Sequence, residues 1–282
     1  MLAVTMTRET AAGVAYDTKA LDACERDFWN DVWRSVPAEL AEEKGVELRD
    51  FGPVRASVVR ELPRVGMMNL VLGATEPGAV EGGHLAAAVE WAASHGVNYY
   101  VPVTPGLPAT DAADEWLRSN GHTRGYAWMK FIRGAHPPRF AAPDVDVVEL
   151  TDPAQAPFGM IVATGFELPA WAAAFFAELP GRESWRCYGA RVDGEIQACA
   201  AMHVHDDLAE FGPAATLEPA RGRGCQMALL HRRILDAIDA GCRAFWVETG
   251  ERVPDRPSIS YRNILKAGFE EAYLRPNWRR AW

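Results

Sequence analysis

The fold is decided by the segment 214–250, whose central turn reads Arg221-Gly222-Arg223-Gly224-Cys225-Gln226. Extended residues precede this turn. The helix Met227–Ala240 is predicted after it, because apolar side chains recur there every three or four positions. Gly241 stands where the C-cap of such a helix is expected, and residues 245–247 resume a strand. The segment therefore predicts a strand, a glycine turn, a helix and a second strand.

The glycine turn predicts an anion-binding site. Backbone N–H groups at the start of a helix have no partner within the helix and lie at the positive end of its dipole. Gly222 and Gly224 leave these groups open to a phosphate, and Arg221 and Arg223 add positive charge. A dinucleotide fingerprint would have glycine in place of Met227, and a P-loop would need Gly-Lys-Ser/Thr, so neither motif is complete.

The turn resembles the acetyl-CoA signature of the GNAT N-acetyltransferase superfamily, Arg/Gln-x-x-Gly-x-Gly/Ala. Arg221, Gly224 and Gln226 stand at its three defined positions, and Gln226 departs from the small residue of the family. Residues 260–269, which read Ser-Tyr-Arg-Asn-Ile-Leu-Lys-Ala-Gly-Phe, resemble the last helix of the superfamily and its closing Gly-Phe. The resemblance covers the second half of the chain.

The resemblance implies an α/β fold with a mixed, mostly antiparallel sheet flanked by helices, in which a central strand splays away from its neighbour. That strand is Leu208–Leu217, which contains Gly212-Pro213. Proline removes a hydrogen-bond donor from the ladder and glycine weakens a strand, so a bulge is expected there. Asp193-Gly194 predicts a tight hairpin turn between the two preceding strands.

The order of elements occurs twice along the chain. A glycine-containing turn precedes the helix His84–Ser94, and Gly121-His122 follows a later helix as Gly268-Phe269 does in the second half. We therefore predict two GNAT-like units in tandem, residues 1–140 and 141–282, joined by a proline-rich connector.

The two predicted copies differ in charge at the turn. The first copy has Glu76 and Glu81 where the second has arginines, and carboxylates would repel a phosphate. The N-terminal unit is therefore predicted to be degenerate, and tandem GNAT proteins with one working half resemble this plan.

The resemblance implies that acetyl-CoA binds as a cosubstrate along the splayed strand, with its pyrophosphate on the glycine turn. The cofactor-binding residues implied in this way are Ala215, Thr216, Leu217, Arg221, Gly222, Arg223, Gly224, Cys225, Gln226 and Asn263. For Asn263, an exposed position on the last helix is the alternative.

Acetyl transfer to an amine needs a neutral nucleophile, a polarised thioester carbonyl and a proton for the leaving thiolate. Glu210 precedes the predicted bulge, close to where superfamily members carry a base carboxylate. Glu248, at the end of the next strand, is the rival base or a ligand for the acceptor's ammonium. Superfamily enzymes often use a tyrosine acid where this chain has Ile264, and Tyr261, one turn earlier, is the nearest substitute.

Composition limits the classes of function. The net charge of −9 argues against nucleic-acid binding and agrees with a cationic substrate, although solubility explains it equally well. No apolar run approaches the ~20 residues of a membrane span, and the N-terminus lacks a signal-peptide pattern. Five scattered cysteines predict reduced cytoplasmic thiols. His203 and His205 face one side of a strand, but no further ligand completes a metal site.

The sequence thus predicts a cytoplasmic N-acetyltransferase that moves an acetyl group from acetyl-CoA to a small-molecule primary amine by direct attack, as a monomer or homodimer. A non-catalytic acyl-CoA-sensing or scaffold protein of the same fold is the alternative. A nicotinamide-dinucleotide enzyme with Glu248 on the ribose is a third possibility.

Overall fold

The computed structural model describes residues 7–11, 13–154, 156–254 and 258–280. The chain divides into two compact units. The large unit combines the described residues up to Val36 with Lys130–Ala272, and the small unit combines Pro37–Met129 with the described residues from Tyr273 onward.

The described residues form fifteen strands and eight α-helices. The strands are β1 (Thr7–Glu9), β2 (Ala15–Asp17), β3 (Val46–Phe51), β4 (Val54–Val59), β5 (Val71–Leu72), β6 (Val101–Pro102), β7 (His122–Arg124), β8 (Trp128–Gly134), β9 (Val147–Leu150), β10 (Trp185–Val192), β11 (Glu195–His205), β12 (Leu208–Thr216), β13 (Ala244–Gly250), β14 (Glu270–Arg275) and β15 (Asn277–Arg280). The helices are α1 (Thr18–Arg34), α2 (Ala38–Lys44), α3 (His84–Ser94), α4 (Thr110–Ser119), α5 (Phe158–Gly165), α6 (Ala174–Ala177), α7 (Cys225–Asp239) and α8 (Ile259–Lys266).

The large unit is built on a seven-stranded sheet in the order β14-β8-β13-β12-β11-β10-β9. The strands from β9 to β12 are antiparallel to their neighbours, whereas β12 and β13 run parallel. Asp193 and Gly194 both have positive φ, 54° and 88°, and they close the β10–β11 hairpin as predicted. The mixed, mostly antiparallel sheet flanked by helices confirms the predicted fold class.

β12 carries the predicted bulge. Gly212 and Pro213 together lie opposite the single residue Ala201 of β11. The parallel pairing of β12 with β13 ends at Glu210, whose partner is Trp246. The two strands therefore part immediately before the bulge, and the remaining residues of β12 continue along β11 alone.

Helices cover both faces of this sheet. α1 and α5 pack against β11 and β12, and α7 packs against β10, β11 and β12. Successive residues of a strand point to opposite faces. Glu210 contacts Cys24 of α1, and the next residue, Phe211, lies under Arg233 of α7. α1 and α7 therefore lie on opposite faces of β12.

The small unit contains the sheets β3-β4-β5 and β6-β15-β7. A parallel bridge between Leu70 and Tyr100 joins the two chain segments just before β5 and β6. These short strands thus repeat the parallel contact between β12 and β13. α3 packs on β3, β4 and β5, with Leu85 and Ala88 buried against Val58 and Val71.

The predicted boundary near residue 140 differs from the observed division. β8, at the end of the first sequence repeat, lies between β13 and β14 in the large unit, and β15, from the end of the second repeat, lies between β6 and β7 in the small unit. α1 also belongs to the large unit. The contiguous units 1–140 and 141–282 are therefore not the compact units, because hydrophobic periodicity identifies a strand without identifying the sheet that it joins.

Gly159 of α5 tests the packing of the large unit. A Cβ at this position would lie 2.5 Å from the carbonyl oxygen of Ala173 and 3.0 Å from the backbone nitrogen of Ala177. Because these are backbone atoms, we expect Gly159→Ala to lower the free energy of unfolding by about 1–3 kcal/mol, measured by urea denaturation. Gly134→Ala is the control, since its nearest atom is 3.8 Å away. Equal stability of the two variants would contradict this packing.

Candidate functional site

A cavity of about 520 Å³ opens at the start of α7. Its volume is within the usual range for small-molecule sites. The walls come from α5, β11, the end of β12, α7 and the start of α8. Most of the predicted cofactor-binding residues line it, namely Ala215, Thr216, Arg221, Gly222, Gly224, Cys225, Gln226 and Asn263. Leu217 and Arg223 lie on the same chain segment outside the lining.

The start of α7 has the geometry that an anion site requires. Gly224 is the N-cap with φ of 84°, and Gly222 has φ of 79°. Side chains are disfavoured in this left-handed region, so the turn depends on glycine at both positions. The first N–H groups of the helix have no partner within it, and the helix dipole places positive charge beside the cavity.

The two arginines of the turn have different surroundings. Arg221 lines the cavity, and its Nε lies 3.4 Å from the carbonyl oxygen of Thr216. Arg223 forms a two-pronged ion pair with Asp193 of the β10–β11 hairpin, at 2.6 and 3.0 Å. This contact holds the pKa of Asp193 below its usual value. The structure therefore brings Arg221 to the predicted anion site but gives Arg223 a carboxylate partner elsewhere.

Gln226 connects α7 to α8 at the cavity. Its Nε2 donates to Ser260 Oγ at 3.1 Å, and Asn263 Nδ2 donates to its Oε1 at 2.9 Å. Gln226, which departs from the superfamily signature, therefore holds the side-chain amide of Asn263 in a hydrogen bond. Ser258 is the N-cap of α8, and its side chain accepts a hydrogen bond from the backbone N–H of Tyr261 at 3.1 Å.

Cys225 is a packed thiol. Its side chain is buried, and its Sγ lies 3.8 Å from the carbonyl oxygen of Ala220. Burial raises the pKa of this thiol, which disfavours the nucleophilic thiolate.

Arg233 of α7 also lines the cavity and was missed by the sequence predictions. The side chain is 1% exposed. Its Nε donates to the carbonyl oxygen of Leu229 at 3.2 Å, and its Nη1 donates to that of Ala201, the residue opposite the bulge, at 3.0 Å. The guanidinium lies 4.8 Å from the ring centroid of Phe211, and burial lowers its pKa to about 10. The sequence did contain a sign of this burial: Arg233 follows Leu229 by four residues and so lies on the apolar face of the helix.

Glu210 lies on the opposite face of the sheet, beneath α1. It is 4% exposed, and its Oε2 is 4.0 Å from Cys24 Sγ. Trp246 donates from Nε1 to the same sulfur at 3.5 Å. Glu210 is outside the cavity lining but stands on the last pair before β12 and β13 part. This carboxylate therefore stands where the pairing of the two strands ends.

Glu248 belongs to a buried ion-pair network on the same face as Glu210. Lys130, which is 1% exposed, contacts Glu248 and binds Glu25 at 2.9 Å. The Lys130 ammonium also lies 4.4 Å from the ring centroid of Trp246. The negative charge of Glu248 is therefore balanced by Lys130, a residue that sequence reasoning did not select because β8 lies far away along the chain.

Tyr261 is held away from the cavity. Its hydroxyl donates to Glu271 at 2.6 Å, and Arg252 donates to the same carboxylate at 2.9 Å. Burial, together with Glu271, raises the pKa of Tyr261 to about 12. The structure does not bring this hydroxyl together with Glu210, so the two predicted proton-transfer groups lie in separate environments.

His203 and His205 both face α1, as their alternation predicted. His203 Nε2 is 3.8 Å from Asp31, and His205 Nδ1 is 2.7 Å from Asp27. No cluster of histidine, cysteine, aspartate or glutamate suited to a metal ion occurs in the part of the chain that the structure describes. Over the same residues, no helix combines the length and apolar character needed to cross a bilayer.

His203 predicts a specific pH dependence of stability. Burial lowers its pKa from 6.5 to about 4, so between these values the unfolded chain binds a proton that the folded protein does not. Stability therefore falls as pH decreases through this range, by up to about 3 kcal/mol. We expect His203→Gln to flatten this slope in urea denaturation between pH 7 and pH 4. Exposed His136 supplies the control: His136→Gln should keep the wild-type slope, and an unchanged slope in both variants would contradict the assignment.

Comparison with known proteins gives matches among solved structures. No protein-family model and no curated protein sequence matches the chain. A GCN5-related N-acetyltransferase from Sphaerobacter thermophilus matches with a TM-score of 0.54 and 14% identity, over 81% of this chain and 76% of that one. A GCN5-related N-acetyltransferase from Kribbella flavida matches with 0.53 and 16%, over 84% and 90%.

A tandem GNAT protein from the clavulanic acid biosynthesis pathway also matches, with a TM-score of 0.54 and 20% identity, over 80% of this chain and 77% of that one. At these identities the likeness concerns the fold. The fold of this chain is that of the GNAT N-acetyltransferase superfamily.

Proposed function

We propose that the protein is an acyl-CoA-dependent N-acetyltransferase that moves an acetyl group from acetyl-CoA to a small-molecule primary amine. The observation that carries this proposal is the cavity between the glycine turn of α7 and the parted end of β12. The GNAT fold supports acyl transfer in general. The amine acceptor and the acetyl donor are the specific parts of the proposal.

The turn and the strand offer complementary contacts to acetyl-CoA. The N–H groups at the start of α7 would bind the pyrophosphate. A Cβ placed on Gly222 would have no atom within 4 Å, so the space in front of the turn is open to a ligand. Arg221 would add a charge-assisted contact. The backbone of Ala215–Leu217 would pair with the amides of the pantetheine arm, as an added strand pairs with an open edge.

Glu210 is the proposed general base. It would take a proton from the acceptor's ammonium, directly or through a water molecule, so that the neutral nitrogen can attack the thioester carbonyl. A backbone N–H near the bulge would stabilise the oxyanion. The carbon–nitrogen bond then forms, the attacking nitrogen loses its second proton to water, the carbon–sulfur bond breaks, and the thiolate takes a proton from water. This last proton needs no side chain, which suits the separate environment of Tyr261.

The charge beneath α1 favours a cationic acceptor. Glu25, Glu210 and Glu248 lie on this side of the sheet, and Lys130 binds the first and the last of them. A carboxylate beside the parted strands would attract an ammonium. On the same proposal the protein works in the cytoplasm, as a monomer or homodimer. Its five cysteines, all unpaired thiols in the structure, agree with a reducing compartment.

The small unit is proposed to be degenerate. The helix α3 begins after Gly83, whose φ is 70°, much as α7 begins after Gly224. The ring of His84, however, fills the space at this turn, since a Cβ at Gly82 or Gly52 would lie 2.7 Å from it. The acidic residues of the turn would also repel a phosphate.

A non-catalytic acyl-CoA sensor is the second candidate. It is favoured by the 4% exposure of Glu210 and by the engagement of the Tyr261 hydroxyl with Glu271. Calorimetric titration with acetyl-CoA, followed by thiol-release assays over a panel of primary amines, separates the two functions. Binding with thiol release supports the enzyme, and binding without release for any amine supports the sensor. Failure to bind at millimolar acetyl-CoA contradicts both.

Glu210→Gln tests the base. Removing the carboxylate's proton affinity while keeping its shape should lower kcat by about 10²- to 10⁴-fold, because deprotonation of the acceptor loses its base. The Kd for acetyl-CoA should stay within about twofold, since the carboxylate acts on the amine. Glu195→Gln, at the exposed start of β11, is the matched control. Full activity of Glu210→Gln would remove Glu210 from the mechanism.

The two turn arginines should contribute unequally to binding. We expect Arg221→Gln to weaken acetyl-CoA binding by about tenfold, the effect of a lost charge-assisted hydrogen bond. Arg223→Gln should weaken it by less than about threefold, because the Arg223 guanidinium is paired with Asp193. Calorimetry at fixed salt measures both. A larger effect of Arg223→Gln would show that the ion pair opens when the ligand binds.

A further inference from the structure

The wall of the cavity contains a buried cation without a carboxylate partner. Arg233 is 1% exposed and uses two of its N–H donors on the carbonyl oxygens of Leu229 and Ala201. Within the described residues no carboxylate forms an ion pair with it. A guanidinium has five N–H donors, so its capacity exceeds these two contacts.

The neighbouring residue, Arg232, differs from Arg233 because it forms ion pairs with carboxylates. Arg232 binds Asp236 at 2.9 Å, approaches Glu149 at 3.7 Å and is half-exposed. Arg233, one position later, is buried against the sheet and lies in the cavity wall. Burying a charge without a counter-ion is costly, and an arginine is best compensated by a carboxylate that accepts both prongs of its fork.

The surroundings of Arg233 leave room for such a group. Ala200 and Ala214, which pair across β11 and β12, line the cavity with small side chains. Arg233 follows Cys225, the first residue of α7, by eight positions, or about 12 Å along the helix axis. The cavity therefore offers positive charge at two separated places: the glycine turn and Arg233.

We propose that Arg233 binds a carboxylate at the far end of the acyl group, so that the site takes dicarboxylic acyl-CoA thioesters of the malonyl and succinyl class more tightly than acetyl-CoA. This inference rests on the proposed function and extends its range of donors. The transfer step is the same as for an acetyl group: the carbon–nitrogen bond forms, the carbon–sulfur bond breaks, and the second carboxylate stays unreacted on the product. The product is then an amide that bears a free carboxylate.

Calorimetry on the full chain tests this directly, with acetyl-, butyryl-, malonyl- and succinyl-CoA as probes. Butyryl-CoA has the same number of acyl carbons as succinyl-CoA but no charge on its acyl group. The ratio of their dissociation constants therefore isolates the contribution of the carboxylate. We expect malonyl- or succinyl-CoA to bind about tenfold or more tightly than butyryl-CoA and acetyl-CoA, the gain of a charge-assisted contact. Ratios near one in the wild type would overturn the inference.

Variants of the two adjacent arginines assign the effect. Arg233→Met should bring the ratio of succinyl- to butyryl-CoA affinity close to one, and Arg233→Lys should keep part of it, because the charge remains without the fork. Arg232→Met is the matched control and should keep the wild-type ratio. A preference that persists in Arg233→Met would contradict the assignment. If Arg233→Met does not fold, the comparison of wild type with Arg233→Lys still tests the assignment, because an equal ratio of succinyl- to butyryl-CoA affinity in the two proteins would contradict it.

The outcomes separate this inference from the proposed function. If all four thioesters bind alike, the site remains an acyl-CoA site and only the role of Arg233 fails. If none of them binds, the proposed function fails as well. Mass measurement of the amide product, after incubation with equal acetyl-CoA and succinyl-CoA, gives a second readout, in which mainly succinylated product is expected.

Discussion

The structure depends on one constraint, the parting of β12 from β13. Gly212 and Pro213 crowd two residues opposite Ala201, and the parallel ladder ends at Glu210. Arg233 compensates part of this disruption, since it donates to the carbonyl oxygen of Ala201. The gap leaves the end of β12 open beside the glycine turn of α7. A continuous ladder would instead occupy this edge of β12 with hydrogen bonds to β13.

The two faces of β12 supply different chemistry. On the α7 side the cavity offers helix N–H groups and two arginines, Arg221 and Arg233, which suit negative charge. On the α1 side the carboxylate of Glu210 and the network around Lys130 suit a cation. An anionic donor and a cationic acceptor would therefore meet across the strand, and the bulge is where their reacting atoms would come together.

Local features of the site could be predicted, and long-range ones could not. The glycine turn, the bulge and the Asp193-Gly194 hairpin each depend on residues next to one another, so sequence was sufficient. The pairing of Arg223 with Asp193 joins residues far apart on different elements, and so does the placement of Lys130 beside Glu248. The exchange of β8 and β15 between sheets has the same origin, because strand pairing is set by tertiary structure rather than by periodicity.

Hydrogen–deuterium exchange with and without saturating acetyl-CoA tests the central claim most directly. If the parted strand and the glycine turn hold the ligand, the segment 214–226 should exchange more slowly, because amides at the open edge of β12 and the first N–H groups of α7 would donate to the pantetheine and the pyrophosphate. The corresponding turn of the small unit, residues 78–84, should exchange at its unliganded rate. Unchanged exchange across 214–226, or protection confined to 78–84, would contradict the account.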